Sequence, residues 1–202
     1  MRPSGITLLL MCTVGVMEAQ VPAHWAEELQ AYWDTLDAEF QDPAESPLRP
    51  EDRVHFVRIA RFPPDTAFVV HARFEPVVDG PEFRMRTTTD REPVYRLHGR
   101  LHFELKGRPQ QLEVYQSIDL IKDPKYADHL FVPFTDPSNG AETYGGGRYL
   151  DLEGPLGGDV VLDLNRAYNP YCAYSPRYSC PRPPEQNTLD VRVLAGARKF
   201  HD

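Results

Sequence analysis

Three stretches between residues 133 and 187 concentrate the side chains that could do chemistry. The first contains Asp136 and then Glu142-Thr143-Tyr144-Gly145-Gly146-Gly147-Arg148-Tyr149-Leu150. Consecutive glycines let a backbone approach a partner closely or adopt positive φ. An acid (Glu142), a phenol (Tyr144) and a guanidinium (Arg148) flank them. The Gly-Lys-Ser/Thr ending of a phosphate-binding loop is missing, which excludes that class of site and leaves a hairpin turn as the plainer reading. The second stretch is Asp163-Leu164-Asn165-Arg166-Ala167-Tyr168-Asn169-Pro170. Burying so many polar groups is costly unless each finds a partner, so the run is a site or a tightly bonded corner. The third, residues 172–187, carries Cys172 and Cys180 and is stiffened by Pro176, Pro181, Pro183 and Pro184.

If the glycine run and the Asn-Arg-Ala-Tyr corner meet at one end of the fold, their dipoles and charges act as a unit. Glu142, Tyr144, Gly146, Arg148, Asp163, Asn165, Arg166, Tyr168 and Asn169 are then the ligand-binding candidates. They suit a small polar or carbohydrate-like molecule, with Tyr144, Tyr149, Tyr168, Tyr171 and Tyr174 as stacking surfaces. A hydrolase is the alternative, with Asp136, Glu142 and Asp163 as acid and base and Arg148 or Arg166 stabilising charge. The third reading is a structural envelope protein whose polar groups bond only to one another. Neither a Gly-x-Ser-x-Gly elbow nor a His-Glu-x-x-His helix occurs, so catalysis would rest on carboxylates or a cysteine and no catalytic residue is assigned. No cofactor or metal is expected.

The elements that must position these groups are mainly β. Proline occurs 20 times in 202 residues, which argues against a helical bundle. Residues 24–41 form one amphipathic helix, with Trp25, Leu29, Trp33, Leu36 and Phe40 on a 3.6-residue period. Its two tryptophans fit core packing better than a binding platform. A proline-rich connector follows. From residue 54 the period becomes two. In residues 95–105, Tyr95, Leu97, Gly99, Leu101, Phe103 and Leu105 alternate with Arg96, His98, Arg100, His102 and Glu104, the pattern of a half-buried antiparallel strand. Further strand candidates lie at 68–75, 83–86, 112–114, 130–134, 149–152, 160–164 and 189–194. This spacing predicts an antiparallel sandwich or barrel-like domain preceded by one N-terminal helix. The division is 1–19 signal peptide, 20–52 helix and connector, and 53–202 β domain. The outward strand face is basic (His71, Arg73, Arg84, Arg86, Arg96, His98, Arg100, His102), with Glu75, Glu82 and Glu104 placed to neutralise it.

Residues 1–19 have a positive start, an apolar run and a small residue at Ala19, the layout of a secretory signal. The run is too short to span a membrane, so the expected product is exported, periplasmic or extracellular, with no stable membrane insertion. A net charge of −8 disfavours general nucleic-acid binding. Cys12 leaves with the signal. Cys172 and Cys180 remain as an even pair in an oxidising compartment, which predicts a disulfide closing a short loop, worth ~2.5 kcal/mol if unstrained. A free or catalytic thiol and a metal site are the alternatives; the Cys-x₇-Cys spacing and the lack of a nearby histidine speak against zinc.

The motifs Glu142–Leu150, Asp163–Pro170, Cys172-Ala173-Tyr174 and Cys180-Pro181-Arg182-Pro183-Pro184 with Asn187 resemble the family catalogued as domain of unknown function 1684. The likeness extends from Ser46-Pro47-Leu48 through the Gly99–Phe103 strand to Ala195-Gly196, nearly the whole mature chain. The resemblance implies a bacterial, often exported protein and carries no established activity. Leu164 stands where the family tends to have Phe, Gln186 where Glu is common, and Ala197 where an acid often follows Ala-Gly. Were that acid catalytic in relatives, this chain would lack it.

Overall fold

A computed structural model describes residues 21–201, so the signal-like segment at 1–19 lies outside the described residues. Helix α1 (Trp25–Gln41) buries Leu29, Trp33, Asp37 and Phe40. A single turn, α2 (Pro50–Arg53), follows. The strands are β1 (Val69–Pro76), β2 (Glu82–Arg84), β3 (Val94–Leu105), β4 (Arg108–Ser117), β5 (His129–Phe134), β6 (Arg148–Glu153) and β7 (Asp159–Asp163). They form one antiparallel sheet in the order β6-β5-β4-β3-β1-β7, with β2 on the free end of β3, curled into a half-barrel. The mainly β class with one preceding helix is therefore what the alternation predicted.

The strict alternation of β3 decides the curl. Leu101, Phe103 and Leu105 turn inward and meet Leu112, Val114, Leu130, Val132 and Leu162 from neighbouring strands. A register shift between Leu97 and Gly99 marks where β3 bends against β4. Outward, the basic residues pair across strands. His71 meets Asp159 at 2.9 Å, His102 meets Glu75 at 3.0 Å, and Arg100 meets Glu113 at 3.2 Å.

Residues 189–195 behave differently from their expected strand. Leu189, Val191, Val193 and Ala195 alternate inward and join the core, yet the segment joins no ladder. Apart from Leu189 N, which donates to the Thr135 carbonyl at 2.8 Å, side chains take most of its bonded backbone groups. Arg148 Nη2 donates to the Val193 carbonyl at 2.8 Å, and Asp136 Oδ1 accepts from Val193 N at 3.0 Å. The segment is an extended plug for the open side of the half-barrel. A second apolar cluster seats α1 (Leu29, Trp33, Phe40) against Leu48, Ile59, Ala173, Tyr174 and Ala197.

The predicted disulfide is corrected. Cys172 and Cys180 are free thiols 3.2 Å apart, beyond bonding distance. The Cys172 amide donates to Cys180 Sγ at 3.1 Å, so the loop is closed by hydrogen bonding rather than by a covalent bridge.

Candidate functional site

The two polar stretches meet through backbone. Tyr149 and Tyr168 exchange both amide-to-carbonyl bonds, at 2.9 and 3.0 Å. Other side chains of the two stretches go to different surroundings. Arg148 is fully buried and pairs with Asp136 at 2.9 Å. It also donates to the carbonyls of Val193, Ala195 and Ala197. Burial pushes this guanidinium down and Asp136 opposes the shift. Asp163 Oδ2 accepts from the Trp25 indole at 2.8 Å, while its Oδ1 caps the turn at Asn165. Asn165 Nδ2 and Oδ1 bond the backbone of Asp65, each at 2.9 Å. Glu142 pairs with Arg192. Arg166 lies over the Tyr32 ring at 5.4 Å. Gly147 takes φ +89°, and a Cβ there would come 2.6 Å from the Phe134 carbonyl oxygen. The glycine run is thus a turn that delivers Arg148 into the interior.

Tyr168 and Asn169 lie elsewhere. They line a cleft of about 470 Å³ between α1 and the β3–β5–β6 side of the sheet. Helix α1 supplies Tyr32, Leu36, Glu39 and Phe40, which share one face by their three- and four-residue spacing. The strands supply Tyr95, His129, Phe131, Tyr149 and Asp151. Alternation puts them on one sheet face, because Phe131 pairs directly with Asp151 in the β5–β6 register. The loop after β7 adds Tyr171, Tyr174 and Tyr178.

The rings hold one another edge to face. Phe131 and Tyr149 stand 4.7 Å apart at 77°, and Tyr149 and Tyr168 stand 5.7 Å apart at 90°. Asp151 is the polar centre. Its Oδ1 meets His129 Nε2 at 3.0 Å, and its Oδ2 accepts from the Tyr168 hydroxyl at 2.7 Å. Glu39 accepts from the Tyr171 hydroxyl. No lysine or arginine lines the cleft. Burial pushes the Tyr95 phenol up to about 12 and also raises Tyr32, Tyr149, Tyr168, Tyr171 and Tyr174. All six therefore remain neutral hydroxyls near pH 7. Two buried polar atoms at the cleft, His129 Nδ1 and Asn169 Oδ1, have no hydrogen-bond partner among the described residues.

Of the residues singled out from sequence, Tyr168 and Asn169 reach this cleft, as do Tyr149, Tyr171 and Tyr174. Tyr144 and Gly146 line a separate depression with Cys172, whose Sγ is 3.6 Å from the Tyr144 hydroxyl. Asn165 borders a third cavity beside α1. Sequence reasoning missed His129, Asp151 and Glu39. The available signal was an acid set inside the apolar run Tyr149-Leu150-Asp151-Leu152. Among the described residues no helix is long and apolar enough to cross a membrane, and no cluster of His, Cys, Asp and Glu suits a metal ion.

Residues 54–198 match the family model described as "Protein of unknown function (DUF1684)". The chain is also similar to a solved structure, the solution NMR structure of the uncharacterized protein from gene locus rrnAC0354 of Haloarcula marismortui. The two are 36% identical with a TM-score of 0.69, over 86% of this chain and 94% of that one. That source is archaeal, so the purely bacterial distribution implied by the resemblance is too narrow. Nothing among curated proteins matches. With most of its length matched and this relative sharing its fold, the chain belongs to the DUF1684 family of proteins of unknown function.

Proposed function

We propose that this protein binds a small polar, ring-bearing ligand of carbohydrate-like character in the aromatic cleft. One observation carries the reading: tyrosine and phenylalanine faces surround a fixed carboxylate, Asp151, with no cationic side chain in the lining. A sugar ring stacks its C–H face on aromatic rings and donates hydroxyls to carboxylates. The same lining disfavours anions and favours amino sugars, because Glu39 and Asp151 attract positive charge and the one lining side chain placed against them that can carry a positive charge is His129, which is already paired with Asp151. Of the carboxylates that suggested hydrolysis, Asp136 and Asp163 are held by structural partners and Glu142 pairs with Arg192 through one oxygen, which weakens the support for that alternative.

Calorimetric titration with neutral sugars, amino sugars and sugar acids tests the proposal. Neutral and amino sugars should bind and sugar acids should not. Asp151→Asn and Tyr168→Phe should each weaken binding by about tenfold. Unchanged affinity in both variants, or a preference for sugar acids, would overturn it. Export remains part of the same reading, supported by the layout of residues 1–19. Mass spectrometry of the mature N-terminus should find cleavage near residue 19, and an intact Met1 in the cell-envelope fraction would contradict it.

A further inference from the structure

Helix α1 borders a second cavity on its other flank, about 510 Å³ in volume. Its floor is apolar: Leu29 and Trp33 of α1 with Phe62 and Pro63 of the strap that follows α2. Its rim is basic. The strap supplies Arg58 and Arg61, and the C-terminal segment supplies Arg198. Backbone pairing brings these together: Phe62 N donates to Gly196 O at 2.9 Å and Arg198 N donates to Ala60 O at 2.8 Å. Asp37 holds Arg61 at 2.8 Å and anchors the strap through Ile59 N at 2.7 Å. That guanidinium lies 5.2 Å from the Trp33 ring centre, and Arg198 lies 5.5 Å from that of Phe62. Arg58 and Arg198 are exposed and meet no carboxylate among the described residues, although the chain as a whole carries −8.

We propose that this cavity is a second binding site, for a small organic anion whose carboxylate or phosphate monoester head is carried on an apolar body. Three guanidiniums with one carboxylate among them leave an excess of positive charge at one place, which a guest anion offsets. Guanidinium forks match both oxyanion heads in geometry. The floor of Leu29, Trp33 and Phe62 then takes the apolar body out of water. The charge logic is the reverse of that in the aromatic cleft, so one ligand does not serve both.

The full chain would be titrated with phenyl phosphate, benzoate, inorganic phosphate and benzylamine by calorimetry. Phenyl phosphate and benzoate should bind, more weakly as salt rises. Inorganic phosphate should bind less tightly than phenyl phosphate, and benzylamine should not bind. Arg58→Ala should weaken phenyl phosphate by about tenfold, and adding Arg198→Ala should remove it. Neither arginine is in an ion pair, so the melting temperature should be unchanged in Arg58→Ala and should fall only slightly in the double variant, which also loses the Arg198–Phe62 ring contact. Tyr168→Phe in the other cleft should leave phenyl phosphate binding intact, which separates failure here from failure of the sugar reading. Absence of saturable binding by both aromatic anions, equal binding of benzylamine, or full affinity in the double variant would overturn the site.

Discussion

The interior behind β6 and the cleft beside it use similar polar residues to opposite ends. Behind β6, Arg148, Asp136 and Asn187 are buried and bonded at several points each, with the Arg148 Nε left without a partner among the described residues. Asn187 alone donates to the Glu113 and Pro133 carbonyls and accepts from Glu113 N. These groups replace a strand ladder, since they tie the 189–195 plug to the sheet. In the cleft, Asp151 and Tyr168 are bonded to each other among aromatic rings that line an open volume. A buried polar cluster that spends its bonds on backbone carbonyls is architecture; a polar pair set among aromatic rings that line a cleft is prepared for a guest.

Mutations can break that contrast. Arg148→Ala should cause the largest loss, about 4 kcal/mol, because it strands Asp136 as an unpaired buried charge. Urea denaturation would measure it, and Arg148→Lys should recover little because a single ammonium cannot span three carbonyls. Next is Asn187→Leu, expected to cost about 3 kcal/mol through three orphaned backbone groups. Cleft variants should behave inversely. Tyr171→Ala, at the exposed rim, should change stability by less than about 1 kcal/mol yet weaken sugar binding by about tenfold. Equal stability losses in both regions would erase the distinction.

The cysteine pair gives the smallest effect. Hydrogen bonding to Cys180 holds the Cys172 thiol below the ordinary cysteine range, and Tyr144 adds to this, while Cys180 is pushed up by the same contact and by burial. Cys172 is also the more exposed of the two. Iodoacetamide should therefore label Cys172 first. The thiolate is the reactive form, so a lowered folded value keeps labelling fast at neutral pH and slows it only as pH falls through that value. Faster labelling of Cys180, read by peptide mapping, would contradict this.

Much of the sheet was legible because alternation reports burial directly. The period-two pattern of residues 95–105 became β3, and the stripe of 24–41 became α1. The same rule misread residues 189–194. Alternation shows that one face is buried but not what satisfies the backbone, and here Arg148 and Asp136 do so. Cysteine spacing likewise gave proximity without the bond. Tyr149, Tyr168, Tyr171 and Tyr174 of the cleft were visible as stacking surfaces, whereas Tyr32, Tyr95 and Tyr178 were not. Its two acids and its histidine were not, because Glu39, Asp151 and His129 sit on separate elements and converge only when α1 lies against β5 and β6. Arg58 and Arg198 were hidden for the same reason, being joined by a strap pairing far apart in sequence.

Chemical-shift mapping of aromatic ring signals during titration with an amino sugar tests the central claim most directly. Binding in the cleft predicts saturable shifts for Phe131, Tyr168 and Tyr171, with Phe68 and Phe134 of the sheet interior unmoved. Silence at those three rings, or shifts confined to the interior, would contradict it.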